Sequence, residues 1–392
     1  MKKPLTPGVD VDGLPVTLGL MGGGQLGRMF VHAAQALGFQ TAVLDPDPDS
    51  PAGRVSHRHI VTDYLDEAGL AQLAQCSHAI TTEFENVPAA ALEKLAESRT
   101  VAPAAAAVRI AQNRIAEKAH FERCGVPCAP YAVIETANQL QAVPAKLLPG
   151  ILKTSRMGYD GKGQIRVKSR ADLAKAWAEL NGVPCVLEKK LALQAECSVI
   201  VARGQDGEIV NLPVNLNTHI DGILAKTEIY KSNMPVALSN MALKASKSIA
   251  NELGYVGVLC VEFFIVKDEQ DKLQLIVNEI APRPHNSGHH SLNSCDISQF
   301  ELQVRTLAGL PLAQPRQHSP AIMLNLLGDL WKNNAAPPWR KVLALPGTHL
   351  HLYGKTQVRR GRKMGHLNIT GKTVADVRAT AQLAAKLLGI AL

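Results

Sequence analysis

Glu262 and Glu279 stand in two apolar runs, VLCVEFFIV (258–266) and LQLIVNEI (273–280), split by the charged segment KDEQDK (267–272). β-Branched and aromatic residues on either side of a short polar turn read as an antiparallel hairpin. With the turn centred on Gln270-Asp271, the pairing sets Glu262 directly opposite Glu279. Side chains so opposed have Cβ atoms about 4.5–5.5 Å apart, where like charges repel. Two carboxylates in oily strands need a proton or a cation. A hard divalent ion such as Mg²⁺, shared with substrate phosphates, meets that need. A slipped register, or one glutamate on a solvent face, would make the symmetry accidental.

Other residues point to phosphate. A strand over 147–153 delivers Lys153 just before Met157 and the run GYDGKGQ (158–164). Gly158, Gly161 and Gly163 make a turn whose N–H groups can approach phosphate oxygens, with Lys162 adding charge. The spacing is not that of a Walker A loop. Arg114 and Lys118 lie one turn apart on a helix over 108–124, which suits either phosphate contact or a solvated face. Glu188, Lys189, Lys190 and Leu191 close a strand and Glu196 opens the next; they fit a purine edge and ribose, or edge-strand charges. His219, alone in its turn, fits a structural role better than a catalytic one. Arg283 is held between Pro282 and Pro284, which suits an anion clamp. The basic hairpin tip at 354–363 fits a nucleic-acid patch, a solvated edge or a phosphate clamp. The lack of interleaved aromatics counts against the first.

These residues need a scaffold, and 392 residues are enough for two or three domains. With 46% apolar and 4% aromatic residues, the cores must be aliphatic, as in α/β proteins. The formal charge of +8 favours anionic ligands, metabolite or nucleic acid alike. Seven cysteines include no CxxC pair, which suits a reducing compartment. Residues 1–15 read as a disordered leader without the apolar core of a signal peptide, and no run reaches membrane-span length. A cytoplasmic enzyme is expected. A strand over 16–21, GGGQLG (22–27), a helix and a strand ending at Asp45 match the dinucleotide fingerprint. Alone, that reading would make the chain an NAD-dependent dehydrogenase. It leaves the second glycine loop, the paired glutamates and the basic hairpin unexplained.

Taken together, GGGQLGRM (22–29), EFEN (83–86), QNR (112–114), GYDGKGQ, HIDGIL (219–224), NEIAPRPHNSGHH (278–290) and YGK…GRKMGH (353–366) resemble the ATP-grasp ligases. Among them the order is similar to that of the 5-(carboxyamino)imidazole ribonucleotide synthase family of purine biosynthesis. The resemblance implies an α/β ATP-grasp fold: a Rossmann-like domain over 16–107, an ATP-grasp domain over 108–320, and a small β-rich domain over 321–392. It implies that ATP phosphorylates bicarbonate to carboxyphosphate, which carboxylates aminoimidazole ribonucleotide. By resemblance, ATP would meet Arg114, Lys153, the loop from Gly158 to Gln164 (Tyr159, Asp160, Gly161, Lys162, Gly163), Glu188–Leu191, Glu196, His219, Asn278 and Glu279. Glu262 and Glu279 would hold Mg²⁺, with Mn²⁺ as a substitute. Gln25, Leu26, Glu83, Tyr159, Asp160, Arg283, Lys355, Arg362 and Lys363 would meet the ribonucleotide. Asp160, Lys162, Arg283 and Lys355 would serve the chemistry. A homodimer, with neither nucleic acid nor membrane as partner, is also implied. Met157, Leu216 and Leu352 depart from the family pattern. A different ATP-grasp carboxylase would share the loop and glutamates but not the carboxyl-terminal motifs.

Overall fold

The computed structural model describes residues 3–8, 10–11, 14–158, 163–332 and 335–391. The amino-terminal part is a five-stranded parallel sheet in the order Arg58–Ile60, Gln40–Leu44, Thr17–Met21, Ala79–Thr82, Thr100–Val101. The central strands are apolar along their length because both faces are covered. Helix Gln25–Ala36 packs Phe30, Val31 and Ala34 on one face. Helices Glu67–Cys76 and Ala89–Ala96 cover the other through Leu70, Leu73, Leu92 and Leu95.

The next unit is a four-stranded antiparallel sheet, in the order Gln164–Val167, Gly150–Thr154, Cys185–Lys189, Tyr131–Ile134. The glycine-rich loop joins its first two strands and sets Gln164 against Lys153. Within the leader, Asp10–Val11 pairs with Leu14–Pro15 in a separate two-stranded ladder, and the remaining strands make one nine-stranded sheet. Along it run Leu273–Ala281, Gly257–Lys267, Leu193–Arg203, Asn215–Ile220, Ile223–Ile229, Ala321–Leu327, Lys363–Thr370 and Thr348–Leu352, with Ile209–Asn211 paired to Leu193–Arg203. Strand Ile223–Ile229 pairs directly with Ala321–Leu327. The carboxyl-terminal segment therefore extends the same sheet across residue 320.

Two expectations need correction. The leader is not free at residues 3–8: the Leu5 amide donates to the Ala308 carbonyl at 2.8 Å, and Leu5 packs on the parallel sheet's core. The single helix over 108–124 is two, Ala105–Ala111 and Arg114–Arg123. Asn113 breaks it, because its side chain accepts from the Ile115 and Ala116 amides at 3.0 and 3.4 Å and so starts a new helix.

Candidate active site

The hairpin sets Glu262 opposite Glu279, but not by simple extension from its turn. Pairs from Lys267↔Leu273 to Phe263↔Val277 keep a register that would carry Glu262 opposite Asn278. A bulge at Asn278 adds one residue and returns Glu279 to the facing position. Asp271, at φ 62°, supports the tight turn. Glu262 is the more enclosed, its side chain 13% exposed against 42% for Glu279. Burial, and then Glu279 across the ladder, push the Glu262 carboxyl above its ordinary range.

His285 closes over Glu262, Nε2 lying 3.2 Å from Oε1. Burial, followed by Arg283 and Lys363, holds this imidazole well below its usual pKa, so it is neutral. Its Nδ1 accepts from the Ser287 amide at 3.4 Å, which leaves Nε2–H to donate to Glu262. Cys260, Glu262 and His285 offer ligand atoms within 4.8 Å of one another. That set mixes S, O and N. The oxygens of Glu262, Glu279 and Asn278, whose Oδ1 is buried without a partner, are the better match for a hard cation.

Behind Glu279 lies a buried charge cluster. Glu188 meets Lys153 Nζ at 2.7 Å, Lys118 Nζ at 3.0 Å and Arg114 at 3.8 Å. Arg114 also reaches Glu279 at 3.2 Å. One carboxylate facing three cations is over-supplied: against the cost of burial, Lys153, Lys118 and Arg114 pull the Glu188 carboxyl down to about 2. The cations are under-supplied, and burial with Arg114 and Lys118 lowers the Lys153 ammonium despite its contact with Glu188. Burial also opposes charge on Arg114, but Glu279, Glu117 and Glu188 outweigh it and keep the guanidinium protonated. Burial lifts Glu117 to about 7, with the Ile280 amide donating to it at 2.8 Å. The cluster is short of negative charge, as a nucleotide-phosphate site should be.

The first glycine loop is already filled by the protein's own carboxylates. The Gly23 amide donates to Asp45 Oδ2 at 2.6 Å; those of Gly24 and Gly27 donate to Glu83 at 2.9 and 3.0 Å. A Cβ on Gly24 would fall 2.4 Å from Glu83 Oε1. Glu83 thus occupies the helix N-terminus where a dinucleotide's pyrophosphate would sit. This removes the dehydrogenase reading.

A cleft of about 860 Å³ joins these groups and takes walls from every part of the chain: Gln25 and Glu83, Arg114, Gly158, Glu262 and Glu279, then Lys355, Arg362 and Lys363. Arg283 reaches across it to Glu85, so a loop from one unit is ion-paired to the EFEN turn of another. Gln112 braces the same turn by donating to the Glu85 and Val87 carbonyls at 2.6 and 2.7 Å.

Three matches cover most of the sequence. Residues 16–112 match the ribonucleotide synthetase preATP-grasp domain, 119–300 the ATP-grasp domain, and 321–380 the phosphoribosylaminoimidazole carboxylase C-terminal domain. N5-carboxyaminoimidazole ribonucleotide synthase of Brucella melitensis is 42% identical over 358 residues, 90% of this chain and 95% of that protein. This chain belongs to the N5-carboxyaminoimidazole ribonucleotide synthase family. The Bacillus subtilis synthase is 40% identical over 351 residues, 89% of this chain and 90% of that one. An ADP complex of an N5-carboxyaminoimidazole ribonucleotide synthetase superposes with TM-score 0.89 at 37% identity, covering 98% of each chain. The Aspergillus clavatus synthase in complex with ADP and 5-aminoimidazole ribonucleotide gives 0.87 at 30% identity, covering 95% of this chain and 98% of that one. The fold is accordingly ATP-grasp, with a preATP-grasp domain and a β-rich carboxyl-terminal part.

Against that family frame, the expected site residues fall into groups. Arg114, Gly158, Glu279, Glu262, Gln25, Leu26, Glu83, Arg283, Lys355, Arg362 and Lys363 all line the cleft. Lys153 and Glu188 stand behind it in the charge cluster. Lys189, Lys190, Leu191, Glu196, His219, Gly163, Gln164 and Asn278 are not part of the described lining. His219 Nδ1 lies 2.9 Å from Glu196 Oε2, so those two are held together. Tyr159, Asp160, Gly161 and Lys162 lie outside the described residues. Three roles read differently in space. The Glu188 side chain turns to cations rather than to an adenine edge. Glu83 spends both oxygens on backbone amides. The Arg283 clamp is already engaged by Glu85. Lys355 donates to the Lys363 carbonyl at 2.9 Å, tying the two ends of the basic tip. Met157 has φ 61° and is 70% exposed, a non-glycine residue in the left-handed region.

The sequence gives no role to Glu117, Glu85 or His285, and offers Lys118 either phosphate contact or a solvated face. Lys118 is fully buried, so its alternative as a solvated face fails. The available signal was the charged run NRIAEK, which places Arg114, Glu117 and Lys118 on one helical face.

Proposed function

We propose that this chain carboxylates 5-aminoimidazole ribonucleotide to the N5-carboxyamino product, consuming ATP and bicarbonate and releasing ADP and phosphate. The observation that carries the reading is the under-supplied cation cluster of Arg114, Lys118 and Lys153 beside the opposed Glu262 and Glu279. Nucleotide phosphates would complete the first, and a divalent cation the second. Glu262, Glu279 and Asn278 would hold Mg²⁺, or Mn²⁺ in its place. When bound, that ion supplies neutralising charge to the terminal phosphates.

Arg114 and Lys153 would hold the phosphates and draw charge off the transferring phosphoryl group, with no side-chain reorganisation needed in a preformed cluster. A bicarbonate oxygen attacks the γ-phosphorus and ADP departs, forming carboxyphosphate. The exocyclic amine then attacks the carboxyl carbon, phosphate departs, and the nitrogen loses a proton. Gln25, Arg283, Lys355, Arg362 and Lys363 would hold the ribonucleotide. Glu85 keeps Arg283 aimed across the cleft. The glycine loop, closing over the phosphates, would exclude water from the acyl phosphate. Glu196 and His219 would meet the ribose side of ATP, and Glu188 would act through Lys153 rather than on the purine.

ADP release with and without aminoimidazole ribonucleotide and bicarbonate tests the reading. Full rates are expected only with both, and release driven by a different acceptor would replace it with another ATP-grasp ligase. We further infer a cytoplasmic homodimer. All seven cysteines are free thiols, and among the described residues no helix is long and apolar enough to cross a membrane. Sedimentation equilibrium at twice the 42.0 kDa chain mass is the expected result for the dimer.

A further inference from the structure

A second cavity, of about 1090 Å³, opens at the opposite end of the parallel sheet. Thr17, Gln40, Arg58, Ala79 and Thr100 begin their strands or lie at the start of them, and all line it. The catalytic cleft instead takes Gly23, Asp45 and Glu83 from beyond the strands' carboxyl ends. The two are therefore separated by the length of the sheet.

The chemistry of the second cavity is one-sided. Lys3, Arg58 and Arg99 line it together with His57 and His78, and its described lining contains no aspartate or glutamate. Among the described residues no carboxylate is ion-paired to Lys3, Arg58 or Arg99. Three cations gathered without a counter-charge repel one another unless an anion joins them.

Both imidazoles are held by the backbone through Nδ1. The Thr17 amide donates to His78 Nδ1 at 3.1 Å, and the Thr41 amide donates to His57 Nδ1 at 3.2 Å. A ring nitrogen that accepts carries no proton, so Nε2–H is the remaining donor of each neutral ring. Arg99 is braced through its Nε to the Ala74 carbonyl at 2.6 Å, which fixes the guanidinium's place in the wall. Leu307 and Ala308 supply an apolar floor from the ATP-grasp part, and the leader contributes Lys3 and Leu5.

We infer that this cavity is a second binding site, for a phosphorylated small molecule with an apolar or ring portion, distinct from the catalytic cleft. Basic groups around one braced guanidinium suit phosphate oxygens, and the floor suits an uncharged ring. The site is independent of the catalytic assignment and goes beyond it.

The test is calorimetric titration of the full chain, first saturated with ADP, Mg²⁺ and aminoimidazole ribonucleotide so that the catalytic cleft is filled, with inorganic pyrophosphate. The expected result is one further equivalent bound per chain, weakened about tenfold or more in Arg58→Ser/Arg99→Gln, with ADP binding unchanged. Arg58→Ser alone, at an exposed position, serves if the double variant does not fold, and should still weaken binding several-fold. No binding beyond the catalytic site, or equal affinity in the variants, overturns the inference. Tight oligonucleotide binding with a steep salt dependence, lost in the same variants while pyrophosphate fails to bind, would also overturn it in favour of nucleic acid.

Discussion

Glu188 is the residue on which the buried charge cluster behind the cleft turns. Replacing it by glutamine removes the one carboxylate that Lys118 and Lys153 share, leaving buried ammonium groups unpaired. Glu188→Gln should lower unfolding free energy by about 3–5 kcal/mol in urea melts, with a larger stabilisation by ATP than in the parent. The same carboxylate sets an acid limit. Its folded pKa of about 2 lies below the unfolded 4.5, so its contribution is complete above pH 4.5 and is lost as pH falls toward 2. The loss amounts to about 3 kcal/mol, read as the difference between parent and Glu188→Gln across that range. Glu262 titrates in the opposite sense: its carboxyl is raised, so a Mg²⁺ ion held there would have to displace a proton at and below neutral pH. Calorimetry in buffers of differing ionisation enthalpy should show proton release, and Mg²⁺ affinity should fall with pH; pH-independent affinity would exclude Glu262 as a ligand. Lys153 and Glu188 are visible in the sequence as charges at strand ends, and Arg114 as a charge within a helix. Their meeting is not, because it requires a helix start and two strands from separate stretches to converge.

At the scale of elements, the start of helix Arg114–Arg123 aims the guanidinium of its first residue. Asn113→Ala removes the acceptor for two amides and should cost about 1 kcal/mol in thermal or urea melts. The KM for ATP should rise while kcat changes less, since Arg114 loses its fixed start and not its charge. Periodicity alone ran one helix through this point, since a side-chain cap does not disturb an apolar pattern. The hairpin shows a subtler limit. Centring the turn on Gln270-Asp271 instead of on Gln270 puts the register one residue out, and the bulge at Asn278 was invisible, yet the two errors cancel at Glu262↔Glu279. Strands Thr17–Met21 and Gln40–Leu44 were legible because they are buried runs; Arg58–Ile60 and Thr100–Val101, short and partly exposed, were not. The dinucleotide pattern was legible too, but not its filling by Glu83, which comes from a turn 56–59 residues away.

At the scale of the whole molecule, the divisions read from motifs hide a shared sheet. A chain ending at residue 320 would leave strand Ile223–Ile229 without the partner Ala321–Leu327 and expose its edge. Such a truncation should aggregate or melt well below the full chain, as light scattering and circular dichroism would show. A cooperative, soluble fragment would mean that the sheet tolerates the cut. The cleft itself draws walls from Gly23 to Lys363, of 392 residues. During translation, then, a ribosome must deliver nearly the entire polypeptide before the cleft's last lining lysines, Lys355 and Lys363, arrive. A prematurely released product would carry the Arg114–Lys153–Glu188 cluster without Lys355 and Lys363, so premature termination leaves no miniature synthase behind.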